Sequence, residues 1–139
     1  MPREHRAFFA PGVAYRAPAF VATSSSEAVA RLSFLASPPF PPPSAEQRPP
    51  FQEHTLWKFH FDCELPESVR CRHVNFIPSD LSMVGGEDEY LFVPYSCFTV
   101  CQVRWQEGAT SADHPHVIEV QVAPDNKRMP EDLLVAPWY

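Results

Sequence analysis

The sequence predicts an α+β fold with mostly antiparallel β-sheet and few helices. Two observations carry that prediction. One stretch near residue 30 has helical periodicity, and at least four closely spaced β-like segments follow it. Pro is abundant at 17 and Gly scarce at 4, which makes the connections stiff and extended. At 139 residues the chain suits one domain with a modest core.

Residues 14–23, AYRAPAFVAT, are apolar and contain β-formers, and Pro18 limits them to an edge strand or a broken one. In SSSEAVARLSFLAS, Ser24 followed three residues later by Glu27 makes a capping box. Ala28, Leu32 and Leu35 recur at helical spacing, so a short helix is predicted over about residues 25–36. Residues 38–50, PPFPPPSAEQRPP, hold seven prolines in thirteen positions, which rules out a helix or a central strand. This is an extended insertion of polyproline II character. It suits a proline-binding module as partner, although a tolerated surface loop is the simpler reading.

The remainder reads as sheet. In LWKFHF, residues 56–61, Leu56, Lys58 and His60 alternate with Trp57, Phe59 and Phe61. Further strands are predicted over residues 72–77, 89–93 (stopped by Pro94), 96–106 and 117–123, and the tail DLLVAPWY packs onto the sheet. Residues 62–71 then form a connecting loop.

The formal net charge is −6 and no Lys/Arg cluster is present, so nucleic acid is not an expected partner. No apolar run reaches bilayer-spanning length, and residues 1–12 lack the apolar core of a signal peptide. A soluble piece without membrane contact is expected, with the cytoplasm the favoured compartment. Cys63, Cys71, Cys97 and Cys101 are then reduced thiols.

Three constellations bear on chemistry. Glu87 and Glu89 flank Asp88 at the start of a predicted strand, so both glutamates face one side and Asp88 the other. Like charges side by side are costly, and such a pair often marks a functional site, but for an E-x-E taken alone a solvated acidic turn is the simpler reading. His60, Cys63, Cys71 and His73 bracket one predicted loop, but their spacing is not that of a common zinc site, and no metal is expected. Cys97 and Cys101 share one face of a strand and read as core packing. His114 and His116 receive no role. No G-x-S-x-G elbow, P-loop or G-x-G-x-x-G is present.

E-x-E followed by YLFVPYSCFTV resembles the catalytic strand of arginine-specific mono-ADP-ribosyltransferases. FVATSSSEAVARLSF is similar to the S-T-S strand and following helix of that family. LWKF and CRHVNFI are similar to its middle strands, and VIEVQVAPDNKRMPEDLLVAPWY to its closing strand and tail. The likeness covers most of the chain outside the Pro-rich segment. It implies split, mostly antiparallel sheets of the ADP-ribosyltransferase type around a cleft for NAD, the co-substrate. It implies that Glu89 binds the ribose 2′-OH and stabilises cationic character as nicotinamide leaves. It implies that Glu87 orients the arginine of a target protein and accepts its proton. Thr23 and Ser24 would line the NAD pocket, and residues 82–86 would belong to the loop that meets the target. A non-catalytic interaction module of the same fold is the alternative.

Two departures stand out. Ala22 occupies the place of the first serine. The NAD-binding arginine of the family lacks a good match: Arg3 and Arg6 stand in PREHRAF, and Arg16 follows Tyr15 but lies close to the serine motif. Either Arg3 or Arg6 serves in an altered context, or the arginine strand precedes Met1. The second is the expectation, making residues 1–139 a partial catalytic domain with a Pro-rich insertion at 38–50.

Overall fold

The structure, a computed structural model, describes residues 1–35, 53–62, 73–82 and 87–137. The Pro-rich segment, Cys63, Cys71, Arg72 and residues 83–86 lie outside the described residues. Strands β1 (Ala14–Ala17), β2 (Val21–Ser24), β3 (Thr55–His60), β4 (Val74–Ile77), β5 (Glu89–Phe92), β6 (Ser96–Arg104), β7 (His116–Val122) and β8 (Leu134–Val135) form two sheets. One has the order β3-β7-β6-β1-β8 and the other β2-β5-β4. Pairings β1–β6, β2–β5, β4–β5 and β6–β7 are antiparallel, whereas β3–β7 and β1–β8 are parallel. The predicted α+β class with mostly antiparallel sheet is thus present.

Two prolines cause the split into sheets. Pro18 has no N–H to give a ladder, so the segment predicted over residues 14–23 breaks there. Its first half pairs with β6 from Ala14↔Thr99 to Ala17↔Ser96, and its second with β5 from Val21↔Phe92 to Ser24↔Glu89. Opposite the break, the chain passes from β5 to β6 through Val93, Pro94 and Tyr95. Two long antiparallel arms are therefore interrupted at the same level and diverge into separate sheets. Tyr95 takes a left-handed φ of 64°, unusual for a bulky side chain. Its N–H donates to Ala17 O at 2.6 Å, and its carbonyl accepts from Arg16 Nη1 at 3.2 Å. The crossing point is thus tied to the end of β1.

Between the sheets lies an aromatic core. Phe92 stacks on Phe59 (ring centroids 5.4 Å apart) and Phe61 (5.8 Å) and meets Phe98 edge-on at 5.3 Å. Phe9 packs edge-on against Trp57 and Tyr15 at 4.9 and 5.6 Å. Such pairs contribute about 0.5–1.5 kcal/mol each beyond their buried area. The alternation read in LWKFHF holds for its rings: Trp57, Phe59 and Phe61 pack on this core.

Local details differ from the sequence reading. The helix begins as α1 (Glu27–Val29) and continues as a π-helical segment, Ala30–Leu35. Its N-cap is Ser26, whose Oγ accepts from Val29 N at 3.4 Å, so the capping box on Ser24 does not form. Three serines in a row offer three caps, and the last one wins because Ser24 is still paired in β2. Cys97 is buried but Cys101 is exposed. The β6–β7 register slips between Val100 and Gln102, so Cys101 is the extra residue of a β-bulge and leaves the face predicted for it. The tail does pack on the sheet: β8 pairs with β1, Ala136 is buried, and Arg16 Nη2 donates to Pro130 O at 2.8 Å.

The N-terminal 3₁₀ helix, Arg3–Phe8, is held by a buried charge cluster. Arg6 grips Glu53 with two contacts, Nε–Oε2 at 2.9 Å and Nη2–Oε1 at 2.7 Å, and Arg3 adds a third at 3.0 Å. His116, fully buried, accepts Gln106 N–H at Nδ1 (2.9 Å), and its Nε2 lies 2.6 Å from Arg6 Nη2 and 3.2 Å from Glu53 Oε2. Burial would raise the Glu53 carboxyl, but hydrogen bonds from Arg6, Arg3 and His116 outweigh it and hold it at about 2. Burial, aided by the Arg6 charge, pushes the His116 imidazole below its ordinary 6.5.

Both shifts make unfolding take up protons. The unfolded chain protonates His116 below about pH 6.5 and Glu53 below about 4.5, while the folded chain resists both. Stability from this cluster is therefore complete above pH 6.5, declines below it, and falls again between about 4.5 and 2. Urea midpoints measured from pH 7 to pH 3 should drop in that order, and Glu53→Gln should flatten the lower part. A midpoint independent of pH over this range would contradict the cluster.

Candidate functional site

The β2–β5 ladder brings the two sequence motifs together. Ser24 stands directly opposite Glu89, Thr23 opposite Tyr90, and Ala22 opposite Leu91. Directly opposed residues share a face, with Cβ atoms about 4.5–5.5 Å apart. Tyr90 and Phe92 turn toward the aromatic core, so Glu89 and Leu91 turn away from it. Ser24 and Glu89 therefore share the outer face of the smaller sheet. Thr23 Oγ1 donates to Tyr90 O at 3.0 Å, Ser24 Oγ accepts from Ser26 N at 3.2 Å, and Ser25 N donates to Asp88 O at 2.9 Å. The serine motif is thus fixed to the E-x-E strand by both main chain and side chain.

A cleft of about 680 Å³ opens where β2, the end strand of the smaller sheet, faces β3, the end strand of the larger. Residues 20–25 and 55–59 line it as consecutive runs, because a strand at the end of a sheet offers its edge as well as one face. Its size falls within the range of about 300–1,000 Å³ usual for cofactor and small-molecule sites. The rings of Trp57, Phe59, Phe61 and Tyr90 make the walls flat and apolar. Ala22, Thr23 and Ser24 line the cleft along β2, and the Thr23 hydroxyl is bonded to Tyr90 O. Lys58 and Glu27 are the charged residues of the described lining, joined at 2.9 Å. The Lys58 hydrogen bond, followed by that of Arg31, holds the Glu27 carboxyl below its usual range.

The two glutamates sit in different surroundings. Glu89 is half-buried at the start of β5. Glu87 is only 2% exposed, and its Oε1 has no hydrogen-bond partner among the described residues. Neither contributes to the described lining of the cleft; Ser24 belongs to that lining and stands opposite Glu89 across the ladder. Asp88 is structural, since its Oδ1 accepts from Ser79 N at 3.1 Å and secures the turn after β4.

Arg3 and Arg6 are engaged by Glu53, and Arg6 also lies over the Trp105 ring at 5.2 Å. Arg16 holds Tyr95, Met129 and Pro130 carbonyls. None of the three lines the cleft. His60 is paired with Glu119 at 3.0 Å, and burial lowers the His73 imidazole. Among the described residues no group of three or more His, Cys, Asp or Glu side chains is placed to hold a metal. Sequence reading missed the Arg6–Glu53–His116 cluster, whose members are far apart in the chain. It also missed Lys58, although its alternation in LWKFHF set it apart from the rings.

The fold and this site define a two-sheet α+β protein with an aromatic cleft beside an acidic strand. No family model matches the chain, and neither the curated proteins nor the solved structures give a match.

A buried carboxyl oxygen without a hydrogen bond costs stability. Glu87→Gln keeps the shape and removes the ionisable group, so it should raise unfolding stability, by about 1 kcal/mol. Chemical denaturation of the two proteins at pH 7 measures this, and a clear loss of stability would show that Glu87 has a partner.

Proposed function

We propose that this chain carries an NAD-dependent ADP-ribosyltransferase site that modifies arginine side chains of a target protein, on split sheets of the type that family has. The pairing of Ser24 with Glu89 is the observation that carries the proposal: the two motifs, far apart in sequence, meet on adjacent strands, and Ser24 also lines the cleft. The cleft walls suit the substrate. Flat rings match a heteroaromatic base, and Thr23 and Ser24 are among the residues lining the cleft. NAD binds here as co-substrate rather than as a resident cofactor.

The residues divide the reaction between them. Glu89 accepts a hydrogen bond from the ribose 2′-OH, and its charge favours the cationic character that develops at C1′. The bond from C1′ to the nicotinamide nitrogen breaks, and its electron pair leaves with nicotinamide. A guanidinium nitrogen of the acceptor then bonds to C1′. Glu87 holds that guanidinium and takes the proton released. Ser24 steadies Glu89 across the ladder.

A second reading, an interaction module without catalysis, has its own support. Arg3, Arg6 and Arg16 are all committed elsewhere, and two sheet-end strands facing a cleft suit an extended peptide added as a strand.

Incubation of the chain with NAD and agmatine, reading nicotinamide release and ADP-ribosyl-agmatine separately, tests the two. Glu89→Gln should lower both signals by about 100-fold or more. Glu87→Gln should abolish agmatine modification and leave hydrolysis of NAD. Equal rates for Glu89→Gln and the unmodified chain would overturn the proposal. A chain that neither binds nor consumes NAD would favour the interaction module.

A further inference from the structure

We infer that Lys58 is the phosphate-binding cation of the cleft: it exchanges Glu27 for the diphosphate of a bound nucleotide. The inference rests on the nucleotide reading above and adds to it the residue that takes the anionic centre of the ligand. A diphosphate inside an apolar, ring-lined cleft needs a positive partner, because a buried anion without one is strongly disfavoured. It needs one all the more on a chain of net charge −6, whose overall field repels anions. The three arginines toward the N-terminus cannot serve, being engaged away from the cleft. Lys58 is the one cation of the described lining.

Its surroundings permit the exchange. Glu27 has two cations: Lys58 Nζ at 2.9 Å from Oε2 and Arg31 Nη2 at 2.8 Å from Oε1. When Lys58 swings to a phosphate, Arg31 stays and Glu27 remains neutralised. Arg31 is itself fixed by a 2.8 Å bond to Ala112 O. The other carboxylate on the Lys58 face is Glu119, directly opposite on β7. Glu119 is already taken by His60 at 3.0 Å and Arg104 at 3.2 Å. Among the described residues Lys58 is thus held by one replaceable partner. Its side chain is 35% exposed, which leaves the stem room to turn. The Lys58–Glu27 pair also closes the chain of contacts from β3 to α1 across the cleft, so occupancy by an anion would loosen this strap as it fills the site.

Calorimetric titration of the chain, Lys58→Gln and Lys58→Arg with NAD, ADP and nicotinamide riboside tests the inference. A lost charged hydrogen bond predicts about a 10- to 100-fold weaker affinity of Lys58→Gln for NAD and ADP. Lys58→Arg should restore most of it, and nicotinamide riboside, which has no phosphate, should bind all three proteins alike. Rising salt should weaken ADP binding to the unmodified chain more than to Lys58→Gln. If the unmodified chain and Lys58→Gln bind NAD and ADP equally, Lys58 is not the phosphate partner and the NAD reading survives. If ADP binding depends on Lys58 but NAD does not bind, Lys58 keeps its role and the NAD reading falls. If neither nucleotide binds, both fall.

Discussion

The ring of Phe92 lies against Phe59 and Phe98 of the larger sheet and against Phe61 just past the end of β3. Phe92 belongs to the smaller sheet, so these contacts set how the two sheets face each other. They also set where β5 begins. With Phe92 and Tyr90 turned inward, the pleat sends Glu89 outward and leaves Ser24 opposite it. Every feature of the candidate site follows from that placement. The cleft exists because Pro18 and Pro94 interrupt two paired arms at one level, and the divergent halves leave β2 and β3 facing each other.

Two carboxylates among the described residues gather cations beside that frame. One carboxylate, Glu53, gathers Arg3, Arg6 and His116 and locks the N-terminal helix beside the start of β3. Another, Glu27, gathers Arg31 and Lys58 and ties α1 to the middle of β3. The first cluster centres on a carboxylate that is almost buried and an imidazole that is fully buried. The second opens onto the cleft and has a spare cation. The same motif of one carboxylate and several cations is mostly buried in one place and more exposed in the other.

Much of the frame was legible in the sequence. The alternation in LWKFHF set Trp57, Phe59 and Phe61 on one side, and all three pack on the core, although Leu56 on the other side is buried as well. Pro18 and Pro94 announced breaks, although a sequence cannot say that the breaks fall opposite each other and divide two sheets. What failed was local geometry decided by tertiary partners. Cys101 was assigned the face of Cys97, and one bulge residue undid the alternation. Ser24 was assigned the helix cap, and its pairing in β2 passed that role to Ser26. Nothing in the sequence explains the π-helical course of residues 30–35. His116 carried no signal at all, because Glu53 and Arg6 reach it only after the chain has folded. For the site, E-x-E and the serine motif were readable as patterns, but their juxtaposition, the burial of Glu87 and the freedom of Lys58 are properties of the fold.

The central claim is that NAD occupies the cleft between β2 and β3 and reaches Glu89 past Ser24. Hydrogen–deuterium exchange with and without NAD tests it most directly. Protection confined to residues 20–25, 55–61 and 87–91 is the predicted result. Unchanged exchange in all three segments, or protection only around residues 94–97 and 126–135, would contradict it.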